Sequence, residues 1–152
     1  MFDLNRFLKA QDSPSFWGQG STYDAALSEI RRGRKDSHWM WFIFPILHDL
    51  GKSTTSVFYA IQSIEEAKAY LADPVLCARL VEISEAALQT ESNRAEIVFG
   101  RPDDRKLRSC MTLFEQADPS IPVFGRVLEK FFDGKRDHLT LRILENDAKS
   151  KD

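Results

Sequence analysis

The stretch Arg34-Lys35-Asp36-Ser37-His38-Trp39-Met40-Trp41-Phe42-Ile43-Phe44-Pro45 decides how the rest of the chain is read. A charged arm runs without a break into six large apolar residues, 39–44. Six are too few to cross a bilayer, which takes about 20. The run must therefore be buried in protein, as an all-round apolar helix is in the middle of a domain. Pro45 stops or kinks it, because proline has no N–H to donate and restricts the residue before it. The pattern predicts a short central helix over residues 38–44, with Asp36 or Ser37 as its N-cap; a central strand is the alternative. His38 and Trp39 stand where the polar arm meets the core. Each carries a polar atom that needs a partner when buried. Either they are satisfied core residues, or Ser37, His38 and Trp39 line a pocket in which His38 is the titrating group.

With 152 residues, the size prior gives one domain, 1–145, followed by a polar tail, 146–152. An apolar fraction of 43% with 11 phenylalanines supplies a sizeable core. A net charge of −2 argues against a general nucleic-acid binder. The basic cluster Arg31, Arg32, Arg34 and Lys35 is local. It reads as a solvated helix C-terminus, where cations favour the dipole, or as an anion-binding patch beside the apolar run. Cys77 and Cys110 fall on apolar helical faces, as free buried thiols do. With no secretory segment visible, they suggest a reducing, cytoplasmic setting. No membrane span and no internal repeat is visible, and the expected assembly is a monomer or a weak homodimer.

Helical periodicity recurs along the chain. A first helix ends near Gln11, capped by Asp3, with Leu4, Phe7 and Leu8 inward. Residues 12–20 form a loop in which Phe16 and Trp17 pack onto the core. Ser21 or Thr22 caps a helix with Tyr23, Ala26, Leu27 and Ile30 inward, closed by Gly33. Ser53 opens a helix carrying Val57, Phe58, Tyr59 and Ile61. Ser63 and Glu66 form a capping box, and Asp73-Pro74 is a cap followed by proline at the first helical position. The next helix turns Leu76, Leu80, Ile83, Ala87 and Leu88 inward, and residues 95–99 are a short apolar piece. The turn Gly100-Arg101-Pro102-Asp103-Asp104 ends in a cap for a helix with Leu107, Cys110, Met111, Phe114 and Ala117 inward. A helix with Phe124, Val127, Leu128 and Phe131 inward follows, then one capped by Asp137. The expected fold is all-α: a single multihelical domain of seven to nine helices around a buried central helix.

Familiar chemistry is sparse. Gly51-Lys52-Ser53-Thr54 has the end of a phosphate-binding P-loop, but Ile46 stands where its first glycine belongs. His38, His48 and His138 are scattered without metal-ligand spacing, so no metal site and no cofactor are expected. Asp103, Asp104, Lys106, Arg108, Ser109 and Thr112 form a second polar cluster. Its aspartates are caps, or one of them is a general base or an acceptor for ribose hydroxyls.

Several segments then fit a known pattern: Gly33-Arg34-Lys35, Ser37-His38-Trp39-Met40-Trp41-Phe42-Ile43-Phe44-Pro45, Tyr59-Ala60-Ile61, Pro74-Val75-Leu76, and Phe99-Gly100 through Pro102-Asp103-Asp104 to Met111-Thr112-Leu113-Phe114. Over nearly the whole chain the sequence resembles the bacterial family catalogued as domain of unknown function 1810, with the mycobacterial Rv1873-like fold. The resemblance implies a multihelical domain with buried central helices and no established activity. Members have been labelled calpastatin, and nothing in these residues supports a protease inhibitor. The chain departs from the family pattern at Ile46, where glutamine is usual, at Cys77 for a glycine and at Cys110 for a serine.

Two functions from different classes follow. In the first, the chain binds a small nucleotide-like or phosphorylated ligand. His38 and Asp103 would be catalytic, and Lys35, Ser37, Trp39, Trp41, Asp104, Lys106 and Ser109 would bind ligand. Tryptophan stacking beside lysine and arginine suits a planar phosphorylated molecule. Hydrolysis with His38 or Asp103 as base is the simplest reaction. The order of the polar elements resembles helical N-glycosidase domains acting on riboflavin intermediates or ADP-ribose, without a residue-by-residue alignment. In the second, the chain is a non-catalytic protein-interaction or self-assembly module that exposes Phe16, Trp17 and the arm 31–35.

Overall fold

The computed structural model describes residues 2–15 and 20–150. Phe16 and Trp17 lie outside the described residues. Ten helices follow in order: α1 (Asn5–Asp12), α2 (Thr22–Arg31), α3 (Met40–Ile43), α4 (Thr54–Tyr59), α5 (Ile64–Ala72), α6 (Pro74–Leu88), α7 (Ala95–Val98), α8 (Asp103–Ala117), α9 (Pro122–Phe132) and α10 (His138–Ser150). Among the described residues there is no sheet, only isolated bridges between Pro14 and Ser21 and between Leu47 and Ile61. The count is one above the expected range. The short pieces at 40–43, 54–59 and 95–98 each close as separate helices.

Local signals set most boundaries. The Ser21 hydroxyl accepts from the Asp24 N–H in a full capping box, and Ser53 caps α4 through the Ser56 N–H. Asp73 takes the N–H groups of Val75 and Leu76, with Pro74 at the first position. Ser63 accepts from the Glu66 N–H, but the Glu66 carboxylate reaches past it to the N–H of Gln62. Asp3 does not cap α1. Leu4 holds that position without a side-chain bond, and the carbonyl of Asp3 instead accepts from Arg6.

The helix through the middle of the domain is α8. It packs on α5, α7, α9 and α10 and buries Leu107, Cys110, Met111, Leu113 and Phe114. An aromatic chain crosses the core from Phe7 through Tyr70 and Phe114 to Phe124, with ring centroids 5.2, 5.1 and 6.1 Å apart. The tryptophan-rich run is shorter as a helix than expected. Only Met40–Ile43 is helical, and neither Asp36 nor Ser37 caps it. Glu29 on α2 collects both their N–H groups, and the arm stays out of helix up to Trp39. Met40 and Ile43 are buried, whereas Trp41 and Phe42 are half-buried. On α4, Val57 and Phe58 face outward.

Residues 146–150, set apart as a tail in the sequence reading, continue α10, and Asp147 docks there. His48 Nε2 lies 2.8 Å from Asp147 Oδ2 and Nδ1 lies 3.1 Å from Asp49 Oδ2. Burial works against a charged ring, but the two carboxylates outweigh it and raise the His48 pKa. A pKa raised in the folded state stabilises below the ordinary histidine value and is lost as pH rises through the raised one. Amide protection over the last turns of α10 will therefore be higher at about pH 5.5 than at about pH 8.5, after correction for intrinsic exchange. In His48→Ala the difference disappears. Equal protection at both pH values in the wild type would show that the pair does not hold the helix.

Candidate functional site

The arm 34–39 is fixed before any cavity forms. Glu29 is almost wholly buried, at 1% exposure. Its position follows from the helical period, three residues after Ala26 on the inward face of α2. Its Oε1 accepts from the N–H of Asp36 at 2.7 Å, the N–H of Ser37 at 2.9 Å and Trp39 Nε1 at 3.0 Å. Its Oε2 accepts from the Ser37 hydroxyl at 2.6 Å. Burial pushes the Glu29 carboxyl upward, and these four donors more than offset it, so the group is held below the usual carboxylate range. The Lys35 N–H bonds to the carbonyl of Val98 at 2.7 Å, tying the arm to the corner before α8.

Above this floor lies a cavity of about 330 Å³ lined by Lys35, His38, Trp39, Trp41, Asp103 and Lys106, with Met40, Phe42, Ser53 and Thr55 completing the wall. Asp103 stands in the first turn of α8, and Lys106 stands one turn on, on the same face. Asp103 Oδ2 lies 3.0 Å from Lys35 Nζ, and its Oδ1 lies 2.9 Å from Lys106 Nζ. Lys35 Nζ also donates to the carbonyl of Ser37 at 2.6 Å and sits 4.9 Å from the Trp39 ring centroid. Lys106 Nζ sits 4.0 Å from the Trp41 ring centroid. Burial raises the Asp103 pKa, but the bonds from Lys106 and Lys35 prevail and lower it. A carboxylate with both oxygens on ammonium groups is a weak proton acceptor. Its evident work is to hold two lysines together. His38 is exposed at the rim, and among the described residues its ring makes no hydrogen bond.

The structure thus brings together Lys35, His38, Trp39, Trp41, Asp103 and Lys106 from the two stretches singled out in the sequence. It does not bring Ser37, Asp104 or Ser109 to this cavity. Ser37 is spent on Glu29. The Ser109 hydroxyl bonds to Asp137 Oδ2 and to the carbonyl of Arg105, in the polar knot that starts α10. Asp104 does not line it, and its Oδ1 and the Nε of Arg108 are buried atoms with no hydrogen bond among the described residues. Sequence reasoning missed Glu29, Ser53 and Thr55. Glu29 had a signal, a carboxylate on an otherwise apolar helical stripe.

Two lysines balanced by one aspartate leave an excess positive charge beside two indoles, an environment that suits an anion. Among the described residues no three His, Cys, Asp or Glu side chains gather to hold a metal ion. No helix among them is long and apolar enough to cross a membrane.

Comparison with known proteins agrees with this architecture. Residues 1–144 match the sequence model of a family described as "Protein of unknown function (DUF1810)". The fold is similar to the crystal structure of Rv1873, a conserved hypothetical protein from Mycobacterium tuberculosis, with a TM-score of 0.88. The two are 42% identical over 95% of this chain and 97% of that one. No curated protein matches.

Proposed function

We propose, for a chain that belongs to the DUF1810 family of proteins of unknown function, that the cavity beside the tryptophan-rich run binds a small nucleotide-like or phosphorylated ligand. One observation carries the reading: Lys35 and Lys106 share the single carboxylate of Asp103 in a cavity walled by Trp39 and Trp41. Each ammonium has three N–H donors. Lys35 spends two of them on Asp103 and the Ser37 carbonyl, and Lys106 spends one on Asp103. The remaining donors suit the oxygens of a phosphate group. At about 330 Å³ the cavity stands at the small end of ligand pockets, a better fit to a mononucleotide than to a dinucleotide.

The reading extends to hydrolysis of an N-glycosidic bond. His38 is then the base, because both oxygens of Asp103 are committed to lysines: as water attacks the anomeric carbon and the C–N bond breaks, His38 takes the water's proton and returns it to the departing nitrogen. Lys106 and Lys35 hold the phosphate end.

A thermal-shift comparison tests the binding. At about a hundredfold over its dissociation constant, AMP should add about 2.7 kcal/mol of stability, or roughly 5–10 °C in Tm. Lys106→Met should remove most of that shift. No shift with AMP, ADP-ribose or ribose 5-phosphate would defeat the reading. An equal shift in wild type and His38→Ala would remove His38 from it.

A further inference from the structure

We propose that this site selects for a flat ring and a single phosphate carried on one short skeleton, because Lys106 and Trp41 cover each other until an anion separates them. The inference rests on the anionic reading of the cavity and deepens it to a ligand class, a nucleoside monophosphate.

The two lysines are held differently. Lys35 is fixed at both ends. Its N–H is on Val98, its ammonium is on Asp103 and the Ser37 carbonyl, and its side chain is 8% exposed. Lys106 makes one ionic hydrogen bond, to Asp103 Oδ1, and its side chain is 21% exposed. Its ammonium rests on the Trp41 face, 4.0 Å from the ring centroid. Of the two, Lys106 is the one free to turn. The far edge of the Trp41 indole lies against the backbone of Gly51, where a Cβ would stand 3.1 Å from the ring.

A planar ring arriving alone meets an indole already covered by an ammonium. A phosphate arriving alone draws Lys106 off the indole, gives up that cation–π contact and leaves the aromatic face bare. A ligand carrying both parts exchanges the contacts: its phosphate takes Lys106 and its ring takes Trp41. The two halves therefore bind cooperatively. A second phosphate adds negative charge beside Asp103, and among the described residues Lys35 and Lys106 are the only lysines or arginines lining the cavity. Monophosphates are thus favoured over diphosphates.

Calorimetry on the intact protein with AMP, ADP, ribose 5-phosphate and adenosine tests this, with tryptophan emission recorded in parallel. AMP should bind about tenfold or more tighter than either ribose 5-phosphate or adenosine, the scale of one base–aromatic stack, and ADP should bind more weakly than AMP. AMP and ribose 5-phosphate should both change the emission, and Trp41→Phe should lose that change. Lys106→Ala, with Lys106→Gln as a second variant that keeps more of the side chain, should weaken AMP and strengthen adenosine. AMP and ribose 5-phosphate binding within about twofold of each other, or AMP binding with unchanged emission, would overturn the exchange while leaving anion binding intact. Failure of all four compounds to bind would overturn both.

Discussion

Glu29→Ala will lose about 3–4 kcal/mol of folding stability, lowering Tm by roughly 10 °C. The reason is the number of donors that converge on one buried carboxylate. Removing it strands the indole N–H of Trp39 deep in the core and frees two backbone amides and a hydroxyl. An unsatisfied buried donor costs about 1–3 kcal/mol, and bonds to a charged acceptor are the stronger kind. The amides of Asp36 and Ser37 can regain water, which holds the sum below a simple addition. Glu29→Gln keeps an accepting oxygen but turns an NH₂ toward donors, so it should cost about half as much. The pH dependence has a definite sign. The Glu29 carboxyl is depressed in the folded state. Its contribution is complete above the ordinary carboxylate range and disappears as pH falls through the depressed value. Urea titrations of wild type and Glu29→Gln between neutral and acid pH should converge as the pH drops. A loss under about 1 kcal/mol for the alanine variant would show that water replaces the carboxylate at little cost.

Arg6→Met will cost about as much, roughly 3–5 kcal/mol, by a different route. Arg6 lies across the junction of α1, α4 and α5. Its Nε donates to the carbonyl of Phe58 and Nη2 to that of Ala60, each at 2.9 Å, and Nη1 lies 2.9 Å from Glu66 Oε2. The guanidinium also rests 4.3 Å from the Phe7 ring centroid. Glu66 is 2% exposed, so removing Arg6 leaves its charge buried with, among the described residues, only the N–H of Gln62 on its other oxygen. The diagnostic is the double variant. Arg6→Met with Glu66→Gln should be more stable than Arg6→Met alone, because the neutral amide removes the stranded charge. If the two costs simply add, the pair is not coupled and the loss comes from the carbonyls of Phe58 and Ala60.

How much was legible in the sequence follows from the range of the forces involved. Caps at Ser21, Ser53, Ser63 and Asp73 act over two or three residues, and the structure has them where local spacing puts them. Inward stripes such as Leu76, Leu80 and Ile83 depend only on the helical period. The arm 34–39 departs from its local signals because its strongest partner comes from another helix. Ser37 is a good cap by local rules, but Glu29 claims its N–H and hydroxyl first. Periodicity also explains the split within α8. Asp103 and Lys106 sit about 60° apart around the helix and reach one cavity, whereas Ser109 lies about 120° from Asp103 and turns inward. Asp3 failed as a cap because α1 starts one residue later, at Asn5 after Leu4.

The cavity's floor and its rim answer to different demands. Trp39, Glu29 and Lys35 are buried anchors of the arm, so loss of any of them should lower Tm. His38, Trp41 and Lys106 reach the solvent and hold little else in place. A substitution at the rim should therefore alter what the cavity holds while leaving the arm seated, and one at the floor should disturb both.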